Sequence, residues 1–361
     1  MKPISLHGHE RAITQIKFNR DGDLLFSAAK DASPNVWYSA NGERLGSFDG
    51  HSGVIWTIDC SWDSTKVVTG SGDNTLRLWD LETGKELNKL QTRTSVRIAN
   101  FSYSGKMLFY TTDEAMKLPA SLKVIDLNSG SSFEPDSSGI ISIDEFDRHN
   151  KPTSGLWGPL DESIITGHET GVLCKWDFRN IKEKLLEVQK HKSQINDLQY
   201  NEDQTMFITA SKDTSAKLFD SETFDHLKTY QTDRPVNSAA LSPIRDHVAL
   251  GGGQEAMEVT TTSTRAGKFE ARFYHLIFEE EFARVKGHFG PINSIAFHPS
   301  GRSYASGGED GSTGLLDAAV ATAKADAAEA EELLLNLTEM KILVMGLLVL
   351  FHFDYLQVLV L

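Results

Sequence analysis

The sequence predicts an all-β chain folded as a seven-bladed WD40 β-propeller with an aberrant, helical C-terminal tail. Three observations predict the ring. A unit of about 42 residues recurs along the chain, within the period of propeller blades. Its copies carry a Gly-His pair near the start and a Trp-Asp pair near the end: Gly8-His9 returns as Gly50-His51, and Trp37-Tyr38 as Trp79-Asp80. Between these marks lie short apolar runs separated by turn residues, four to a unit, as a four-stranded blade requires.

The elements follow in order. Ile13 to Phe18, Leu24 to Ala28, Val67 to Thr69 and Leu76 to Trp79 read as strands, with turns at Asp21-Gly22, Asn41-Gly42, Thr83-Gly84 and Ser300-Gly301. Later copies are weaker: Ile125-Asp126, Trp176-Asp177 and Phe219-Asp220 stand at the Trp-Asp position, and Lys190-His191 and Gly287-His288 at the Gly-His position. Asp203 to Asp220 matches Asp63 to Asp80 at equal length. Seven units start near His9, His51, Arg93, Thr153, His191, Asp233 and His288, the third, fourth and sixth being degenerate. Pro3 to Leu6 reads as the strand that closes the ring against the last blade.

The residue types have a mechanical reason. A buried His beside Gly can bond a turn Asp, while a Ser or Thr and an indole N–H extend the network across the blade. Bonds to a charged partner contribute about 1.5–3 kcal/mol each. His9, His51, Asp73, Trp79, His191, Asp213, His288 and Asp310 are therefore assigned to this blade network rather than to catalysis or metal binding. His7 and His9 share one strand face but have no third ligand nearby. Gly251-Gly252-Gly253 lacks the context of a phosphate loop and reads as a tight turn. Gly167-His168-Glu169 reads as a variant of the Ser71-Gly72-Asp73 turn, and Lys182 to Lys192 as a solvated connector between the fourth and fifth blades. No nucleophile elbow or paired acid–base site is present, so no catalytic residue, cofactor or metal is expected.

Lys and Arg number 36 against 50 Asp and Glu, a net charge of −14 that disfavours a protein living on phosphate contacts. Cys60 and Cys174 form no C-x-x-C pair, which argues against a disulfide framework or zinc knuckle and fits a reducing compartment. The opening residues lack the apolar core of a signal peptide.

Some words exceed what the repeat demands: Met1-Lys2-Pro3-Ile4 with Leu6-x-Gly8-His9-Glu10-Arg11, Trp37-Tyr38-Ser39-x-Asn41-Gly42-Glu43-Arg44-Leu45-Gly46, and above all Gly251 to Ser263 (GGGQEAMEVTTTS) running on to Gly287-His288-Phe289-Gly290-Pro291. In these the chain closely resembles the family of subunit i of eukaryotic translation initiation factor three, over residues 1–311. The resemblance implies a non-catalytic cytoplasmic scaffold. It would bind subunits b and g of the factor and support mRNA recruitment, scanning and start-codon selection. Contact with the small ribosomal subunit and mRNA would come mainly through the complex, with no membrane involved. A C-terminal helix of subunit b would dock on the propeller, with a segment of subunit g nearby. An acidic ring independently suits basic partners. The alternative is a WD-repeat signalling adaptor that binds receptor kinases.

For docking, Asp203 and Asp220 on the fifth blade and Gln254 on the following blade's loop are the candidates, because a basic helix needs carboxylates. The propeller is expected over residues 1–311 with its seventh blade incomplete, and residues 312–361 as an atypical Ala-rich, then apolar, tail. The apolar run Ile342 to Phe351 is only ten residues, too short to span a membrane. Phe351-His352-Phe353-Asp354 resembles the strand ending expected directly after Gly311, so the segment between reads as an insertion.

Overall fold

The structure is a computed structural model that describes residues 4–115, 117–128, 141–143, 146, 150–179, 184–253 and 269–317. Its compact unit runs Met1–Ala318. Seven four-stranded antiparallel sheets form the blades of a propeller. The first holds β2 (Ile13–Phe18), β3 (Leu24–Ala29), β4 (Asn35–Tyr38) and β5 (Arg44–Ser47). The second holds β6 (Ile55–Cys60), β7 (Lys66–Ser71), β8 (Thr75–Asp80) and β9 (Glu86–Gln91). The third is built from β10 (Val96–Phe101), β11 (Met107–Thr112), β12 (Ser121–Asp126) and β13 (Ile141–Ile143). The fourth contains β14 (Pro152–Trp157), β15 (Ser163–His168), β16 (Val172–Asp177) and β17 (Lys184–Gln189). In the fifth are β18 (Ile195–Tyr200), β19 (Met206–Ser211), β20 (Ser215–Asp220) and β21 (His226–Gln231). The sixth comprises β22 (Val236–Leu241), β23 (His247–Gly252), β24 (Glu270–His275) and β25 (Glu281–Lys286).

The core lies between blades. Phe26, Val36, Ile55 and Val67 join blades one and two, and Ile208, Leu218, Val236 and Leu250 join blades five and six. Second strands such as β7 and β19 are therefore apolar on both faces and buried almost throughout, whereas the outermost β9 is mostly exposed. Each fully buried Val, Leu, Ile or Phe contributes about 1.5–3 kcal/mol. Two readings of linking segments are corrected here. Lys184–Gln189 is the outer strand of blade four rather than a connector, its side chains alternating against β16. Gly251 and Gly252 end β23 rather than form a turn, pairing with Ser238 and Val236; a Cβ on Gly251 would fall 2.7 Å from the Ile292 side chain and one on Gly252 2.2 Å from the Pro235 carbonyl oxygen.

The seventh blade is complete. It comprises β26 (Ile292–Phe297), β27 (Ser303–Gly308), β28 (Thr313–Asp317) and, as outer strand, β1 (Ile4–Leu6), which pairs Ile4 with Leu315 and Leu6 with Thr313. The expectation of an unfinished blade is thus corrected. Thr313-Gly314-Leu315-Leu316-Asp317 departs from the Trp-Asp wording but keeps the needed alternation, with Thr313 and Leu315 buried. The ring extends past residue 311, and no strand from the tail is required. Residues 318–361, with the expected helix and Phe351 to Asp354, lie outside the described residues. Among the described residues no helix is long and apolar enough to cross a membrane.

Every innermost strand carries a register shift at its second residue, a β-bulge repeated in all seven blades. The bulged residues are Thr14, Trp56, Arg97, Thr153, Asn196, Asn237 and Asn293. Five of them reach across to the next blade's backbone: Thr14 donates to the Ile55 carbonyl (2.6 Å), Thr153 to Ile195 (2.6 Å), Asn196 to Val236 (2.9 Å), Asn237 to Ile292 (3.1 Å) and Asn293 to Ile13 (2.9 Å). Trp56 and Arg97 instead stack on each other, the guanidinium 4.0 Å from the indole centroid.

Candidate partner-docking surface

The blade networks come first, because they fix the turns that carry surface residues. In blade two, Trp79 Nε1 donates to Thr69 Oγ1 (2.8 Å), which lies 2.7 Å from His51 Nε2, and His51 Nδ1 lies 2.9 Å from Asp73 Oδ2. Asp73 also accepts the backbone N–H groups of Ser52 and Thr75. Burial would raise its carboxyl, but the bonds from Thr75, the Ser52 N–H and His51 outweigh it and hold it at about 2. Blade one repeats this with His9, Asp31, Ser27 and Trp37, so both ring nitrogens of His9 are engaged. Blade five uses His191, Asp213 (2.9 Å) and Thr209, and blade seven His288, Asp310 (3.3 Å) and Ser306. Phe219 and Leu316 stand there in place of Trp.

In blades one and two the glycine of the Gly-His mark packs against the Trp. A Cβ on Gly8 would meet the Trp37 ring at 2.7 Å and one on Gly50 the Trp79 ring at 3.1 Å. Where no Trp is present the constraint vanishes: nothing lies within 4 Å of that position at Gly287, and blade five carries Lys190.

Blade four departs from the repeat in a way the sequence reading missed. His168 belongs to β15 itself, and its Nε2 lies 2.9 Å from Thr166 Oγ1, which accepts Trp176 Nε1 (2.8 Å). Its Nδ1 donates to the Asn150 carbonyl (2.8 Å) instead of a carboxylate. Burial pushes the imidazole down to about 4. The available signal is a His two residues after a Thr, in a unit whose only Gly-His pair stands in the second strand rather than at the start.

Antiparallel blades send their first and third turns to one face of the ring. Asp203 lies in the β18–β19 turn and Asp220 ends β20, so both belong to that face, and the Ser221 N–H bonds the Thr205 carbonyl (3.0 Å) between the two turns. Asp203 is exposed. Asp220 Oδ1 accepts the N–H groups of Glu222 (2.9 Å) and Thr223 (3.0 Å), bonds that lower its carboxyl, the Thr223 N–H most. Asp80 caps the equivalent turn of blade two through Thr83. On the same face, the β24–β25 turn exposes Ile277 and Phe278 and is tied to blade five by Tyr230 Oη to the Leu276 carbonyl (2.8 Å) and by Lys228 to Glu279 (3.1 Å). Gln254 lies outside the described residues.

The axial channel, of about 300 Å³, is lined by the innermost strands. Lys17 bridges Asp59 (2.7 Å) and Asn100 (3.2 Å), and Asp197 accepts Ser238 Oγ (2.5 Å), with burial raising its carboxyl. These contacts tie blades one, two and three together, and five to six.

The EIF3I family model matches residues 1–316, ending inside β28. The chain belongs to this family. It is 62% identical over 311 residues to eukaryotic translation initiation factor 3 subunit I of Bombyx mori and 60% to that of Nematostella vectensis, in each case over 86% of this chain and 94% of the relative. The Drosophila melanogaster protein of the same name is 58% identical over 86% of this chain and 95% of its own. For this initiation-factor family the ring just described is thus the whole matched body.

Proposed function

We propose that the chain is a non-catalytic scaffold subunit of eukaryotic translation initiation factor 3. On this reading it works in the cytoplasm, binds subunits b and g, and supports mRNA recruitment, scanning and start-codon selection on the small ribosomal subunit through the assembled complex. Family membership supplies the setting. The observation that carries the docking reading is the shared face of blades five and six, where Asp203 and Asp220 lie with exposed Ile277 and Phe278 on one side of the ring. Carboxylates would meet the basic side of a partner helix and the apolar turn its hydrophobic side. The test is association of recombinant subunit b with Asp203→Lys/Asp220→Lys, expected to weaken at least about tenfold, as loss of paired interfacial charges does. Asp80→Lys disturbs the same kind of turn on another blade and is the control. Unchanged binding by the double variant, or equal loss in the control, defeats the reading.

A further inference from the structure

A second feature of the same face begins on blades one to three, and only its far end reaches the turn after Asp220 used in the blade-five reading. The first turns of blades one, two and three open with a capping residue, Asn19, Ser61 or Ser102, that binds the N–H of the following strand. The next residue in each is Arg20, Trp62 and Tyr103, where blades five, six and seven have Glu202, Pro243 and Pro299. The three side chains pack in one row: the Arg20 guanidinium lies 4.2 Å from the Trp62 ring centroid, and the Trp62 and Tyr103 centroids are 4.1 Å apart with the rings tilted by 45°. The row is not core, since Trp62 is 38% exposed and Tyr103 45%. At the Tyr103 end, the N–H groups of Tyr103 and Ser104 bond Asp161 of blade four (2.6 and 2.9 Å). That contact brings up Leu160, which is 81% exposed and held at φ 57, a left-handed conformation that costs a Leu free energy and gains it no burial. A groove of about 320 Å³ continues from Leu160 to the exposed Leu185, with Glu162, Asp177 and Glu222 alternating with Lys175 and Arg179 along its walls.

The geometry points to this row as the docking strip for an extended, arginine-bearing segment of a partner protein. Arg20 on Trp62 shows the packing that an incoming guanidinium would repeat at Tyr103. Charge selects protein over nucleic acid: exposed Asp21, Asp63 and Glu162 lie in the same turns, and the chain carries −14 overall, which repels phosphates. Leu160 would take an apolar side chain further along the segment, and the charged groove beyond it the polar residues that follow.

The probe is a fluorescent peptide of six Arg-Ser repeats, compared with six Lys-Ser repeats and a twelve-nucleotide oligouridine, by anisotropy on the full chain. The arginine peptide should bind more tightly than the lysine peptide, because an ammonium cannot stack flat on an aromatic ring. Tyr103→Ala should weaken it about fivefold or more, the size of a partly desolvated cation–π contact. Leu160→Gly should leave the affinity of this peptide, which has no apolar side chain, unchanged and should weaken a version with leucine in place of its last two serines, with the melting temperature unchanged or raised, since glycine accepts that φ without strain. Equal binding of the arginine and lysine peptides, no binding of either, unchanged affinity of the arginine peptide in Tyr103→Ala, unchanged affinity of the leucine version in Leu160→Gly, or oligouridine binding that Tyr103→Ala abolishes would each overturn the proposal.

Discussion

Blades two and four run the same chain of hydrogen bonds and end it differently. In both, an indole N–H donates to a threonine hydroxyl and the hydroxyl reaches an imidazole. Blade two terminates on the Asp73 carboxylate, which also holds two backbone N–H groups of its neighbouring turns. Blade four terminates on the Asn150 carbonyl, and its histidine comes from the strand rather than from the link between blades. A carboxylate fastens several turns at once; a carbonyl satisfies one ring nitrogen. The comparison teaches that a degenerate repeat can keep the buried half of its network while giving up the half that clamps loops. The innermost strands differ in the opposite sense: Thr153 of blade four grips the next blade's backbone, and Trp56 of blade two does not.

The largest expected effect separates the two endings. Asp73→Ala strands His51 Nδ1 and two N–H groups and should lower stability by about 3 kcal/mol in urea denaturation. Thr170→Ala, at the corresponding position of blade four, should cost under about 0.5 kcal/mol, as exposed substitutions do. Equal losses would erase the distinction.

Acid titration gives the next effect. The His168 imidazole sits at about 4 in the fold, below its ordinary 6.5, so the fold favours the neutral ring. Its contribution is complete above pH 6.5 and is lost as pH falls toward 4, about 3 kcal/mol in all. Asp73, at about 2 against an ordinary 3.8, contributes above 3.8 and is lost only as pH falls toward 2. Burial lowers His51 as well, with Asp73 pulling the other way. Stability curves at successive pH values should therefore flatten between 6.5 and 4 in His168→Gln, and between 4 and 2 in Asp73→Asn. A His168→Gln curve parallel to the parent's would refute the assignment.

The smallest effect concerns the bulges. Trp56→Asn gives blade two the side chain that blades five, six and seven use, and a bond to the Val96 carbonyl should add about 0.5–1 kcal/mol less the lost stacking on Arg97. A clear loss in thermal melting would mean that the Trp56–Arg97 stack holds the two blades better than the bond it replaces.

Much of the ring was legible because its signals are local. Strand positions in blades one and two follow from turn residues, and Gly22 takes the positive φ (77) that its turn demands, with the His298 ring packed where a Cβ would stand. What escaped was relational. The wording of the seventh blade's third strand points to an unfinished sheet, whereas Thr313 and Leu315 satisfy the burial pattern without a Trp. His168 hid because a network defined by Gly-His spacing does not anticipate a ring from inside the strand. The bulged residues form a series only when seven strands are superposed, and Arg20, Trp62 and Tyr103 are ordinary turn neighbours until adjacent blades bring them together. Of the docking candidates, Asp203 and Asp220 are now seen to share a face, and Asp220 also has a turn to hold.

The pairing of Ile4 with Leu315 has a consequence for synthesis. Of the ring's strands β1 is made first, yet it belongs to the last sheet to be finished, so it must wait, unpaired, until β28 emerges. Six blades can stack from the N-terminal side as they are made, but the circle stays open, with strand edges exposed at both ends, until the last strand of the ring is made. Truncation a few residues inside either end of the ring would therefore do more than trim it: the nascent chain would be left permanently at the stage where pairing with a neighbouring copy is easiest.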